Sequence, residues 1–209
     1  MTPGVPVEDH CGVFFVRRFK DCLAALVPYY DDYGSNATLI FTIHGEVFTD
    51  HRTVKWNLRR LARLFCVDLE SARQEMARFL HYSQGLPLPL SPSLVLVPLK
   101  TRTAVGKNDG CHGYFNPSAV VSFAASGNGK SRSSILLPGD HLLPCLYRPG
   151  TVQKRLRDGA IALERHRTAL LIPGEPAGPD CKNILEGLAR AFLSGLKKDN
   201  SGQSPPPER

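Results

Sequence analysis

No apolar run in this 209-residue chain approaches the roughly 18 residues that a membrane span needs; Pro, Arg or Lys interrupts each one. The opening Met-Thr-Pro-Gly-Val-Pro-Val-Glu-Asp-His lacks the basic flank and apolar stretch of a secretory signal. A cytoplasmic protein without membrane contact is therefore expected. Paired cysteines are missing as well. Cys11, Cys22, Cys66, Cys111, Cys145 and Cys181 are scattered, with no C-x-x-C among them. Zinc sites show ligands two to four residues apart. His141 and Cys145 come nearest to that spacing, but Pro144 between them opposes a helical ligand pair. The expectation is reduced thiols with no metal and no cofactor. Hydrophobic residues make up 42% and charged residues 22%, a globular balance that excludes wholesale disorder.

What the chain has is positive charge, unevenly placed. The net charge is +7. Residues 1–50 carry 3 basic and 7 acidic side chains, so the excess of cations lies wholly in residues 51–209. A basic body attracts polyanions, and phosphate backbones are the commonest of these.

Apolar spacing sketches the elements. Phe15, Phe19, Cys22, Leu23 and Leu26 fall at helical intervals, predicting a helix over 13–27 that Pro28 ends. Residues 38–44 and 47–49 are rich in β-formers and read as strands. Val54, Leu58, Leu61, Ala62 and Phe65 share one helical face, as do Leu69, Ala72, Met76, Phe79 and Leu80. With Asp68 as the second N-cap, residues 51–82 are two amphipathic helices joined by a tight turn. Alternating prolines make 85–92 an extended arm. Strands follow at 94–97, 119–123 and 135–137, with a long polar loop over 100–113. Residues 151–158 are basic and helix-compatible, and 168–172 read as a strand stopped by Pro173. Asp180 caps a last amphipathic helix, 180–196, and the Pro-rich tail 197–209 is expected to be disordered. The chain thus divides into an N-terminal helical extension, 1–36, and an α+β domain, 37–196. In that domain a small, mostly antiparallel sheet occupies 85–175.

Four constellations bear on chemistry. In the first, the helical pair follows helix-turn-helix grammar. Ala62 is the small residue at the crossing. Arg73, Gln74 and Arg78 face outward, where Arg suits guanine and Gln suits adenine; Arg59, Arg60 and Arg63 suit phosphates. Against this, Cys66 stands where glycine is usual, and Glu70 and Glu75 put negative charge on the reading helix. A plain helical hairpin packed on a sheet fits the same pattern. In the second, Ala124-Ala125-Ser126-Gly127-Asn128-Gly129-Lys130-Ser131 satisfies a relaxed phosphate-loop pattern. Such a loop must open a helix. The β-like stretch that follows, cut by Pro138, favours an Asn-Gly hairpin instead. In the third, the loop from Lys100 to Tyr114 contains Cys111 and His112, adjacent where catalytic pairs come from distant segments. Its basic side chains read as phosphate contacts or as a solvated loop. In the fourth, Arg148 to Arg167 holds 6 basic and 2 acidic residues, with Lys154 and Arg155 as candidate backbone contacts.

The order of pieces resembles the competence transcription factor family. Leu88-Pro89-Leu90-Ser91-Pro92-Ser93-Leu94-Val95-Leu96-Val97-Pro98-Leu99-Lys100-Thr101 looks like that family's Pro-rich arm and strand. Gly113-Tyr114, strand 119–123, the Asn128-Gly129-Lys130 hairpin and Leu137-Pro138 follow in the family's order. A basic segment, a strand ending in Pro and a terminal amphipathic helix complete it, over about 85–196. The resemblance implies a bacterial transcriptional activator that binds A/T-rich duplex DNA, largely through the minor groove, as a homodimer that assembles further, under control of an adaptor and protease. In that mode Lys100, Arg102, Lys107 and Lys130 are the contacts, because Arg and Lys favour narrow A/T grooves. The helical pair at 51–82 is longer than the family pattern, and 1–36 is unmatched.

The expected function is DNA-binding transcriptional regulation without catalysis, through the helical pair or the basic loops. Two other classes fit less of the pattern: a basic protein-interaction or adaptor module, and a nucleotide-dependent enzyme using 124–131.

Overall fold

Two apolar stretches buried on both faces form the centre of the protein. In the computed structural model, which describes residues 19–106, 109–126 and 131–171, they are β1 (Leu23–Tyr30) and β5 (Leu94–Lys100). Strands covered on both sides need no polar alternation, so they read as continuous hydrophobic runs. Leu26 faces one layer of core while Ala25 and Val27 face another; Leu94 and Leu96 are likewise opposed to Val97 and Leu99.

Around them a six-stranded antiparallel sheet is ordered β3-β2-β1-β6-β5-β4. It adds β2 (Asn36–Thr42), β3 (Val47–Asp50), β4 (Leu88–Ser91) and β6 (His112–Phe115). Pro28 and Pro98 are tolerated in inner strands because pairing stops short of them on one side. β6 meets β1 only at Ala25 and Leu26, and β4 meets β5 no further along than Leu96. A second sheet, β7 (Ser122–Ala125), β8 (Ser133–Leu137) and β9 (His141–Cys145), is antiparallel throughout. Its Ile135, Leu137 and Cys145 join the core of Val97, Leu99 and Phe115.

The opposite layer of core is closed by α1 (Val54–Leu64), through Val54, Leu58, Leu61 and Ala62. The hairpin partner α2 (Leu69–Leu80) packs beside β4 and buries Met76. Helix α3 (Pro149–Leu171) enters the β-sheet core with Val152 and meets Met76 and Val95 with Ala162 and Leu163. Gly159 carries α3 across β5: a Cβ there would lie 2.7 Å from Pro117 Cγ and closer still to Val97 Cγ2. The two turns that hold Gly45 and Gly139 also touch, and His141 Nε2 shares a hydrogen bond of 2.9 Å with Gly45 O. By their contacts residues 1–169 form one unit and 170–209 a second; apart from Leu170 and Leu171 at the end of α3, the features described here lie in the first. Among the described residues no helix is long and apolar enough to cross a membrane.

The α+β class and the antiparallel pairing are as expected, but two sheets, the larger one including β1 to β3 from Leu23–Asp50, stand in place of one small sheet over 85–175, and three expectations about single elements are corrected. The helix over 13–27 is a strand from Leu23 onward, and an inner one; residues 13–18 lie outside the described residues. Burial on two faces produced apolar residues at helical and strand intervals alike. The strand over 168–172 is helical through Leu171, because α3 continues past its β-formers. Thr168 even returns its hydroxyl to Glu164 O at 2.9 Å. The basic segment and the strand ending in Pro, both used in the family resemblance, are therefore one helix as far as Leu171. The strand over 119–123 begins only at Ser122, after a 3-10 turn at Pro117–Ala119. The helix over 180–196 and the tail lie outside the described residues.

Candidate functional site

Helix α1 begins at Thr53, whose hydroxyl accepts the Trp56 amide at 3.3 Å. Its core face is set by Val54, Leu58 and Leu61, so Lys55, Arg59 and Arg63, four residues apart, form an exposed stripe beside it. Phe65 ends the helix. Cys66 then turns left-handed, at φ 55°, in the position where glycine is usual. Val67 N–H donates to Ala62 O at 2.9 Å and Cys66 N–H to Arg63 O at 3.2 Å. These two bonds form the closing motif of a helix whose following residue is left-handed. Asp68 starts α2 by accepting the Ser71 amide at 2.6 Å. The Ser71 amide and hydroxyl hold the Asp68 carboxyl below the usual carboxylate range.

This turn folds α2 back so that Arg73 faces the α1 stripe across a cleft of about 620 Å³. The far wall is Gly110, Cys111, His112 and Tyr114 from β6 and the loop before it. Val54, Leu58, Ala62 and Tyr114 make the floor apolar, while Lys55, Arg59 and Arg63 make the rim cationic and Arg73 adds a fourth cation beside Tyr114. Two carboxylates share the cleft. Asp68 is occupied as a cap, and Glu70 Oε2 lies 3.7 Å from Arg73 Nη1. Burial pushes the Tyr114 hydroxyl above its ordinary pKa, and the Arg73 guanidinium beside it pulls partly back. His112 lies across the sheet from Lys100. Burial first, then the cations of Arg155 and Lys100, lower its pKa, so its ring is neutral at pH 7.

Of the residues singled out from sequence, Arg59, Arg63 and Arg73 are brought together. Gln74 and Arg78 are exposed on α2 but do not line the cleft, and Arg60 is half-buried outside it. Arg73 and Gln74 therefore do not face outward together, as expected for a reading helix. Arg102 is corrected outright. Its Nη2 donates to Asn36 Oδ1, its Nε donates to Gly110 O at 2.8 Å, and the guanidinium stacks 3.9 Å from the centre of the Tyr30 ring. Its remaining Nη1 is buried. The half-buried guanidinium is thus engaged by Asn36, Gly110 and the Tyr30 ring. Arg155 is also internal: it donates to Pro98 O at 2.9 Å, stacks on Tyr147 at 4.5 Å and packs over Gly85. Lys154 is exposed on α3, 4.6 Å above the Tyr82 ring, and Lys100 is half-buried at the end of β5. Lys107 and Lys130 lie outside the described residues.

The phosphate-loop look-alike is followed by β8, which pairs back on β7 with Ala125 opposite Ser133. The segment therefore opens a strand, and the helix that would supply amides to a phosphate is not there. Among the described residues no group of three or more His, Cys, Asp or Glu could hold a metal. Cys111 Sγ and His112 Nδ1 are 3.4 Å apart.

Lys55 was not picked out from sequence, and His112 and Tyr114 stood there only in the polar loop and the family's bend, not as residues of a cleft. For Lys55 the signal was available, in the four-residue step to Arg59 and Arg63. For the other two the cleft exists only once β6 is set against the helical hairpin. No family model, curated protein or solved structure matches the chain.

Proposed function

We propose that this protein is a DNA-binding transcriptional regulator without catalytic activity. It meets duplex phosphates through the Lys55–Arg59–Arg63 stripe of α1, with Arg73 behind it. The observation that carries the reading is the convergence of these four cations, from two helices, on one cleft. Cations spaced one helical turn apart follow a phosphate backbone, and each neutralised phosphate releases counterions. Of the two basic surfaces that the sequence left open, the helical pair is favoured, because Arg102 of the loop surface is committed to internal bonds. A preference for A/T-rich sites, self-association and adaptor-controlled proteolysis belong to the proposal only through the resemblance to the competence factors.

A gel-shift titration of the full chain against A/T-rich and mixed duplexes, at two salt concentrations, tests it. Retention should weaken steeply with salt. The Arg59→Ala/Arg63→Ala double variant should lower the slope of log affinity against log salt by about 2, one per phosphate contact. Absence of retention at low salt, or a slope unchanged by the double variant, overturns the reading.

A further inference from the structure

The rim accounts for a polyanion, but the interior of the cleft has no use in that reading. A duplex resting on Lys55, Arg59 and Arg63 leaves the apolar floor untouched. The floor also continues inward. Arg73, His112 and Tyr114 line both the 620 Å³ cleft and a recess of about 180 Å³ behind it. Three flat side chains, a guanidinium, an imidazole and a phenol, thus form the neck between them. The recess is otherwise lined by Leu86, Leu88 and Pro98 together with Ser83 and Gly85, so it is part apolar and part polar. A cationic rim, a neck of flat side chains and a recess of mixed lining thus adjoin one another. Ligand sites of small molecules share this make-up, an apolar body with a few placed polar groups.

We propose that the cleft binds a nucleotide, a planar ring joined to a phosphate, with the ring at the Arg73–His112–Tyr114 neck and the phosphate at the Lys55–Arg59–Arg63 rim. The ring gains from stacking on Tyr114 and on the guanidinium plane of Arg73. His112 contributes its ring and not its nitrogens, because Nδ1 lies 3.4 Å from Cys111 Sγ and Nε2 lies 3.3 Å from Tyr147 Oη. The phosphate answers the excess of cations that remains after Glu70 offsets Arg73 and Asp68 is taken by the Ser71 amide. A bare anion would leave the neck and recess empty, and an uncharged ring would leave the rim unpaired. Both parts are needed to fill the site. The proposal stands apart from duplex binding, although the two ligands would compete for Arg59 and Arg63.

Cys111 lines the cleft and is half-buried, whereas Cys66 is exposed and is not part of its lining. The pair supplies a footprint and its control. The full chain is treated with iodoacetamide alone and with adenosine monophosphate, adenosine or inorganic phosphate, and alkylation is read at each cysteine by peptide mass spectrometry. Thermal unfolding is followed in parallel. At about ten times its dissociation constant, adenosine monophosphate should slow Cys111 alkylation roughly tenfold, the share of sites left free, and raise the unfolding midpoint. Cys66 should be unaffected, and adenosine or phosphate alone at that concentration should protect weakly. Arg73→Ala should abolish protection. Lys55→Gln, on the exposed rim, should weaken it without altering the unliganded midpoint. Unchanged Cys111 alkylation at millimolar nucleotide, or equal protection by phosphate alone, overturns the proposal. Because no DNA is present, protection without duplex retention would sink only the regulator reading, and retention without protection would sink only this one.

Discussion

Tyr30 donates its phenolic hydroxyl to Asp109 Oδ2 at 2.6 Å, tying the end of β1 to a loop 79 residues further along the chain. Asn36 Nδ2 reaches the other carboxylate oxygen at 2.5 Å, and the Gly106 amide donates to Oδ2 at 2.7 Å. These hydrogen bonds, Tyr30 foremost, hold the Asp109 carboxyl at about 2, below its ordinary 3.8. The folded-state value is the lower one, so the stabilisation is complete above about pH 4 and is lost as pH falls through about 2. Amide exchange at Val105 and Gly106, which donate to Tyr30 Oη and Asp109, should therefore lose protection between pH 4 and pH 2, with Leu96 as a control. Tyr30→Phe should expose Val105 at neutral pH. Unchanged protection at Gly106 across this range would show that the carboxylate does not order the loop.

Two arginines separate surface from scaffold. Arg63→Ala should lower the salt slope of DNA retention by about 1 and leave stability within about 0.5 kcal/mol, as for other exposed sites. Arg102→Ala should leave the slope alone and lower the midpoint of unfolding, because it strips Tyr30, Asn36 and Gly110 of a shared partner. A slope that falls for Arg102→Ala but not for Arg63→Ala would move the interface to the loop.

Cys66 carries the strain of the helical turn. A left-handed residue other than glycine costs about 1–2 kcal/mol. Glycine removes that cost but adds about 0.4–1 kcal/mol of unfolded-chain entropy. Cys66→Gly should therefore stabilise by several tenths to about 1 kcal/mol, a rise in midpoint of about 1–4 °C for a chain of this size. Calorimetry on both proteins decides it; a lower midpoint would show that the thiol makes a contact worth more than the strain.

At Gly159 the balance has the opposite sign. Alanine gains about 1 kcal/mol of helix propensity. Its methyl, however, meets Pro117 Cγ at 2.7 Å and buried Val97 closer still. Overpacking of this kind costs about 1–3 kcal/mol, and the branched Val97 side chain cannot swing away. Gly159→Ala should be destabilising by about 1 kcal/mol or more in urea titration. A neutral result would mean that α3 lifts from β5 at little cost.

Asn57 lies on the buried face of α1, and neither amide atom has a partner among the described residues. Each orphaned polar group costs about 1–3 kcal/mol. Leucine has the same branching and no polar atoms, so Asn57→Leu should raise stability by about 1–2 kcal/mol after some overpacking. A fall in urea midpoint would reveal a hydrogen bond supplied from outside the described residues.

The amino-acid sequence by itself determined the elements whose pattern is local. The stripes of α1 and α2, the Asp68 cap and the left-handed demand on Cys66 are each set within a few residues. So are the extended, Pro-bearing β4 and the basic composition of the rim. The tertiary structure decided everything that depends on what covers a segment. Leu23 to Val27 carry apolar residues at spacings that suit a helix, and only the layers on both sides make them a strand. Residues 168–171 favour a strand locally, yet lie in α3 because a helix already packed along its length continues at little further cost. β6, with only His112 to Phe115, has no pattern of its own and exists as the rung between β1 and β5. The site follows the same division. Arg59 and Arg63 are cations wherever they stand, but Arg102 is withdrawn by Tyr30 and Asn36, and Arg73 is turned inward to Tyr114. Charge is a property of the side chain, whereas its availability depends on neighbours that the fold alone assembles.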